Sequence, residues 1–113
     1  MTELCDLTAL EAARRIRARD LSPVELMESL LDRSQRLEPR LKVWATIDPD
    51  AAMRVATLRE REIESGGSGG PLHGVPVGVK DIYYTKGVRT MAGSPIYSQF
   101  VPAYDATSVV RLK

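Results

Sequence analysis

In Gly74-Val75-Pro76-Val77-Gly78-Val79-Lys80-Asp81 a lysine directly follows an alternating apolar run. With Val75, Val77 and Val79 on one side and Pro76 and Gly78 on the other, the pattern predicts a strand with one apolar face and one nearly bare face. A bare face permits close approach by another backbone or by a substrate. Pro76 lacks an amide donor, so the segment belongs at an edge, a bulge or a strand start. Lys80 then stands where the strand ends, the position at which open α/β sheets bind ligands. An amine there serves as a general base only when neutral, which requires burial or a nearby positive charge to lower its pKa from about 10.4. Residue type and spacing leave two readings open: a lysine that transfers protons, and a solvated lysine beside Asp81 that makes a plain salt bridge.

Other reactive side chains offer less. His73 is the only histidine and has no cysteine or carboxylate at metal-ligand spacing, so a structural or exposed role is expected and no metal site is. Trp44, Tyr83, Tyr84, Tyr97 and Tyr104 lack basic interleaving and read as packing residues rather than a stacking platform. Ser65-Gly66-Gly67-Ser68-Gly69-Gly70 is a flexible linker by composition, and it lacks the lysine and helix start of a phosphate-binding loop.

The elements that must position Lys80 are helical before the linker. Thr8-Ala9-Leu10-Glu11 has capping-box spacing and predicts a helix over about residues 9 to 19, with Leu10, Ala13 and Ile16 on one face. Ser22-Pro23-Val24-Glu25 repeats the device, with proline at the first helical position and Leu21 placed to staple against Leu26. That second helix is expected to carry Val24, Met27, Leu30, Leu31 and Ser34 inward and to stop at Glu38-Pro39. Leu41 to Ile47 suits an extended segment. Asp48-Pro49 starts a third helix reaching about Glu64, with Ala52, Val55, Ala56 and Ile63 apolar and Arg59-Glu60-Arg61-Glu62 as a solvated face. After the linker, glycine, proline and alternating valines predict strands and loops. Asp105 is placed to cap a last helix over Ala106 to Lys113. Three long helices with so little sheet predict an incomplete piece of a larger α/β domain.

Composition narrows the classes. With 16 basic and 15 acidic residues interspersed, there is no electrostatic footprint for nucleic acid or an acidic membrane. No apolar run approaches the roughly 18 to 20 residues needed to span a bilayer. The single cysteine, Cys5, excludes an internal disulfide, and a cytoplasmic location is the default expectation.

Across Gly70-Pro71-Leu72-His73-Gly74-Val75-Pro76-Val77-Gly78-Val79-Lys80-Asp81 the sequence resembles the N-terminal part of an amidase signature family enzyme. Gly87-Val88-Arg89-Thr90-Met91-Ala92-Gly93-Ser94 is similar to the family's next glycine, threonine and glycine-serine element, and Asp105-Ala106 with Val109-Val110-Arg111-Leu112 to the helix after it. The resemblance implies N-terminal helices packing on part of a mixed β-sheet, an incomplete piece of the amidase signature fold. In that frame residues 1–64 are the helical region, 65–70 the linker and 71–113 the start of the catalytic core.

The resemblance further implies a serine hydrolase without histidine, acting on carbon-nitrogen bonds of carboxamides and needing no metal or organic cofactor. A neutral lysine at Lys80 takes a proton from a serine held by a cis peptide; that serine activates a second one, which attacks the carboxamide carbonyl. Both serines belong to a downstream glycine- and serine-rich segment, so this stretch carries one member of the triad and is expected to be inactive alone. Met91, Gly93 and Ser94 fall in the substrate-side loop, where Ser94 shapes the loop and is not the nucleophile. Met91 stands where a second threonine is usual and Ile82 where asparagine is common, which leaves the substrate class open. Asp81 is expected to orient the strand end or to receive loop amides. The expected partners are a small-molecule amide and the C-terminal remainder of the domain, with no direct nucleic-acid or membrane contact; a homodimer of the full-length protein is compatible with this. Two alternatives stay open: the A subunit of a glutamyl-tRNA or aspartyl-tRNA amidotransferase, and a non-enzymatic interaction module whose apolar helix faces bind a partner.

Overall fold

Two reciprocal caps start the first two helices. The computed structural model describes residues 2–67 and 69–113, and Ser68 of the expected linker lies outside them. Helix α1 spans Ala9–Arg17; the Thr8 hydroxyl accepts the Glu11 amide at 3.2 Å while the Glu11 carboxylate accepts the Thr8 amide at 3.0 Å. The Thr8 amide, and after it the Thr8 hydroxyl, which donates to the same carboxylate at 2.9 Å, hold the Glu11 carboxyl below its ordinary value. Helix α2 spans Pro23–Leu41, with the Ser22 hydroxyl accepting the Val24 amide at 3.0 Å and the Glu25 carboxylate accepting the Ser22 amide. Helix α3 spans Pro49–Glu64 and is capped by Asp48, whose carboxylate accepts the Ala51 amide at 2.9 Å.

The described residues fall into two compact units, one reaching Pro76 and the other Val77–Lys113. In the first, α2 packs against α3 and against a 3-10 turn at Leu4–Asp6. Its core is small: Ala12, Ile16, Leu21 and Leu26 are buried together, with Leu4, Leu7, Leu30, Ile63 and Val75 packed against them. The Leu21 to Leu26 staple is therefore present. The inward face of α1 differs from expectation, because Ala12 joins Ala13 and Ile16 while Leu10 is 60% exposed. Val55 of α3 also faces outward, leaving Ala56 as that helix's buried residue.

Helix α2 passes the expected stop and runs through Pro39 to Leu41. Proline in a helix removes its own bond to the fourth residue back and crowds that residue's carbonyl, a cost that is smallest near a helix end. Here that loss falls in the final turn, and the chain leaves through Lys42 at φ 49°, its amide bonded to the Glu38 carbonyl at 2.8 Å.

The expected mixed β-sheet is not formed: among the described residues there is no β-strand, and the α/β expectation is corrected to a helical unit followed by an irregular one. A strand exists only where a second segment accepts and donates along its length at about 4.8 Å. Leu41 is absorbed into α2, and neither the exposed residues 42–47 nor residues 75–80 form a strand. Alternation of side chains is thus present at Val75, Val77 and Val79 without the neighbour that would make it a sheet.

Gly74 has a packing reason in the first unit. It sits at φ +82°, and a Cβ there would lie 2.9 Å from Pro23 Cγ and 3.4 Å from Ile16 Cδ1. Gly74→Ala is therefore expected to destabilise this unit by about 2 kcal/mol, from left-handed strain plus displacement of the Pro23 ring. A urea midpoint unchanged from wild type would contradict the contact.

The second unit is tied by non-local bonds. The Gly87 and Thr90 amides reach the Pro102 and Phe100 carbonyls, each at 3.0 Å. The Tyr84 ring meets Phe100 edge-on at 5.2 Å and Tyr104 at 5.4 Å, so Tyr84 and Tyr104 do pack; Tyr97 also meets Phe100 edge-on, whereas Trp44 and Tyr83 are exposed. Helix α4 spans Thr107–Leu112 without a side-chain cap. Asp105 is not its cap, because both carboxylate oxygens are engaged elsewhere: one accepts the Lys86 amide and the other the Lys113 ammonium, each at 2.7 Å.

These donors, Lys113 first, hold the Asp105 carboxyl below its ordinary value. A depressed carboxyl stabilises the fold above its unfolded pKa of about 4, and that contribution is lost as pH falls through the lower folded value. Acidification below about pH 4 is expected to release the Lys86 amide, seen as a shift of its NMR resonance and faster exchange. An Asp105→Asn variant should lack the carboxylate's part of that pH response; an identical response would assign it elsewhere.

Candidate active site

Lys80 lies in the second unit, on a turn that its own backbone holds. The Lys80 carbonyl accepts the Ile82 amide at 2.8 Å and the Tyr83 amide at 3.2 Å. The side chain is exposed, and among the described residues its ammonium makes no hydrogen bond or ion pair. The salt bridge to Asp81 that spacing allowed is absent among them; Asp81 Oδ1 instead accepts a backbone amide. These residues by themselves do not supply the burial that a neutral lysine requires.

Asp81 Oδ1 accepts the Met91 amide at 3.0 Å, which is the loop-amide role expected of it; the strand end it was to orient is not there. Met91 opens a tight turn in which the Ser94 amide returns to the Met91 carbonyl at 3.0 Å. The two central residues, Ala92 at φ 52° and Gly93 at φ 72°, are both left-handed, the pattern of a type I′ turn. Glycine adopts that geometry freely, and alanine does so at a cost of about 1 kcal/mol. Ser94 then caps a 3-10 turn at Pro95–Tyr97, its hydroxyl accepting the Ile96 amide at 3.4 Å. Met91 is half-buried, Gly93 exposed and Ser94 half-buried. Lys80 and the Met91–Ser94 turn are thus joined by one bond, from the carboxylate that follows the lysine.

His73 is elsewhere in function. Its ring lies in the first unit with Nε2 3.2 Å from the Glu62 carboxylate and 3.4 Å from the Arg59 carbonyl, while Arg59 itself pairs with Glu62 at 2.9 Å. Glu60 of the same helix accepts the Ser22 hydroxyl. The charge run 59–62 is therefore more than a solvated face: three of its residues are half-buried and brace the unit. The three-residue interval between Arg59 and Glu62 foreshadows their pair, but nothing local points from Glu62 to His73. Glu3, Cys5 and Asp6 also cluster, but Glu3 and Asp6 are exposed, and Asp6 is already paired with Arg33. That pairing, through the hydrogen bond to Asp6, raises the Arg33 guanidinium above its ordinary value. No helix among the described residues is long and apolar enough to cross a membrane.

Comparison with known proteins bears directly on Lys80. The Amidase family model matches residues 25–113, which include the lysine, Asp81 and the Met91–Ser94 turn. AmiD of Mycobacterium tuberculosis (strain H37Rv), named as a putative amidase, is 46% identical over 107 residues, covering 95% of this chain and 22% of its own. The A subunit of the glutamyl-tRNA(Gln) amidotransferase from Geobacter sp. (strain M21) is 41% identical over 111 residues, covering 98% and 23% respectively. The corresponding Chloroflexus aurantiacus protein is 41% identical over 112 residues, at 99% and 23%. The chain therefore spans less than a quarter of the length of these relatives. With the match running through the lysine turn and the loop that Asp81 holds, the chain belongs to the amidase family.

Proposed function

We propose that a protein of the relatives' full length carrying this stretch is an amide hydrolase in which Lys80 is the proton-transferring base. The observation that carries this reading is the family match across residues 25–113, in which Lys80 falls within the block that the resemblance assigns to the catalytic lysine. The Lys80 amine takes a proton from one serine, which takes one from the nucleophilic serine as its oxygen attacks the carboxamide carbon. The carbon-nitrogen bond breaks, the amine leaves with a returned proton, and water then cleaves the acyl ester. Both serines come from the remainder of the protein, which also covers Lys80 and brings it into the neutral state. Met91, Gly93 and Ser94 form part of the substrate-side wall, the substrate is a small carboxamide, and the reaction runs in the cytoplasm without metal or organic cofactor.

Ammonia release from simple carboxamides by the full-length protein tests this. Saturable turnover is expected; none on any primary carboxamide, glutamine included, removes the reading. The similarity to an amidotransferase component over 98% of the chain favours a second reading. In that version glutamine is the amide hydrolysed and its ammonia passes to a charged tRNA with partner proteins. Glutamine hydrolysis that rises only when such partners and charged tRNA are added would select it.

A further inference from the structure

Resting on the amide-hydrolase reading, we infer that Asp81 is a positioning residue that ties the substrate-side turn Met91–Ser94 to the backbone of the catalytic lysine. The tie is one bond, Met91 N–H to Asp81 Oδ1 at 3.0 Å, between residues ten apart in sequence. Everything around that bond favours its having a purpose. On one side, the Lys80 carbonyl is saturated by the Ile82 and Tyr83 amides, so the backbone from which both Lys80 and Asp81 project is fixed. On the other, Met91 is the first residue of a closed turn whose left-handed Ala92 stores strain. A turn that includes a strained non-glycine residue persists where its surroundings hold it. Thr90, the residue before Met91, is buried and donates its amide to the Phe100 carbonyl at 3.0 Å, so the turn is anchored just ahead of Met91 and braced at Met91 by Asp81.

The carboxylate is also the right group for the task. An acceptor that is ionised makes a stronger bond to an amide than a neutral one does. It is half-buried, which limits competition from water. Because Asp81 and Lys80 are adjacent, any shift of the 91–94 turn relative to Asp81 is a shift relative to Lys80, and enzymes are sensitive to displacements of about 1 Å between substrate and catalytic groups. Asp81 thereby converts the substrate wall and the base into one piece, without itself touching a proton in flight.

The role predicts a particular split. In the full-length protein Asp81→Ala is expected to raise KM for the carboxamide roughly tenfold, the equivalent of one lost hydrogen bond, with kcat changed less. Asp81→Asn keeps an acceptor oxygen at the same place and should return KM to within about threefold of wild type. Amide hydrogen exchange supplies the independent arm: Met91 should exchange at least roughly tenfold faster in Asp81→Ala and near the wild-type rate in Asp81→Asn. A Met91 amide indifferent to Asp81→Ala overturns the tie. So does a fall in kcat alone, or an Asn variant as impaired as Ala, because either would give the carboxylate a different job. Should wild type show no turnover on any amide, the hydrolase reading fails by itself, and the exchange arm still decides whether the tie exists.

Discussion

Lys80→Ala in the full-length protein lowers kcat for amide hydrolysis by roughly a hundredfold to ten-thousandfold, the usual contribution of a positioned acid-base group. The local structure makes this a clean experiment. The turn at Lys80 is held by its carbonyl, and the ammonium has no partner among the described residues, so truncating the side chain removes no hydrogen bond or ion pair of the second unit. Because the remainder of the protein covers Lys80 in the proposed enzyme, the thermal midpoint of Lys80→Ala is read beside its turnover, and a loss of kcat with folding retained assigns the loss to chemistry. Lys80→Arg sharpens the result. A guanidinium keeps the charge and the reach but does not deprotonate, so it satisfies a salt bridge and fails as a base. Loss of turnover in both variants supports proton transfer; activity retained by Lys80→Arg would return the residue to a charge-only role.

Ile16→Ala is expected to destabilise the first unit by about 3 kcal/mol, from lost burial and the cavity left behind. Ile16 is the most buried large side chain among the described residues, at 2% exposure, and it touches both the small core and the Gly74 turn. Few residues share that core, so a loss of this size is a large part of the total stability of a domain, about 5 to 15 kcal/mol in general. Leu10→Ala on the same helix is the internal comparison. Its side chain faces outward, and its loss should fall within about 0.5 kcal/mol. Equal effects of the two substitutions in urea unfolding would mean that α1 presents a different face inward.

The helices are legible because their signals are local. Thr8 with Glu11 and Ser22 with Glu25 satisfy amides within three residues, Asp48 accepts the Ala51 amide beside a proline preset for the first turn, and all three start helices where the sequence places them. The strands fail for the opposite reason. Val75, Val77 and Val79 alternate, but a ladder depends on a second segment that alternation does not specify. The same limit explains Asp105, whose spacing suits a cap while its oxygens are taken by Lys86 and Lys113. At the site, Lys80 is visible only through the ordered blocks around it, since lysine-aspartate alone is equally a surface pair. The Asp81 to Met91 bond is half visible: a carboxylate available to loop amides is readable, but which amide it takes depends on the fold of the intervening turn.

Covalent labelling of the full-length protein by a fluorophosphonate, which reacts with activated serine hydroxyls, tests most directly that Lys80 activates a serine. The wild-type protein should take up one probe per chain at a single serine outside residues 1–113, and Lys80→Ala should do so at least roughly a hundredfold more slowly. Equal labelling rates in the two proteins would contradict the assignment of Lys80 as the base.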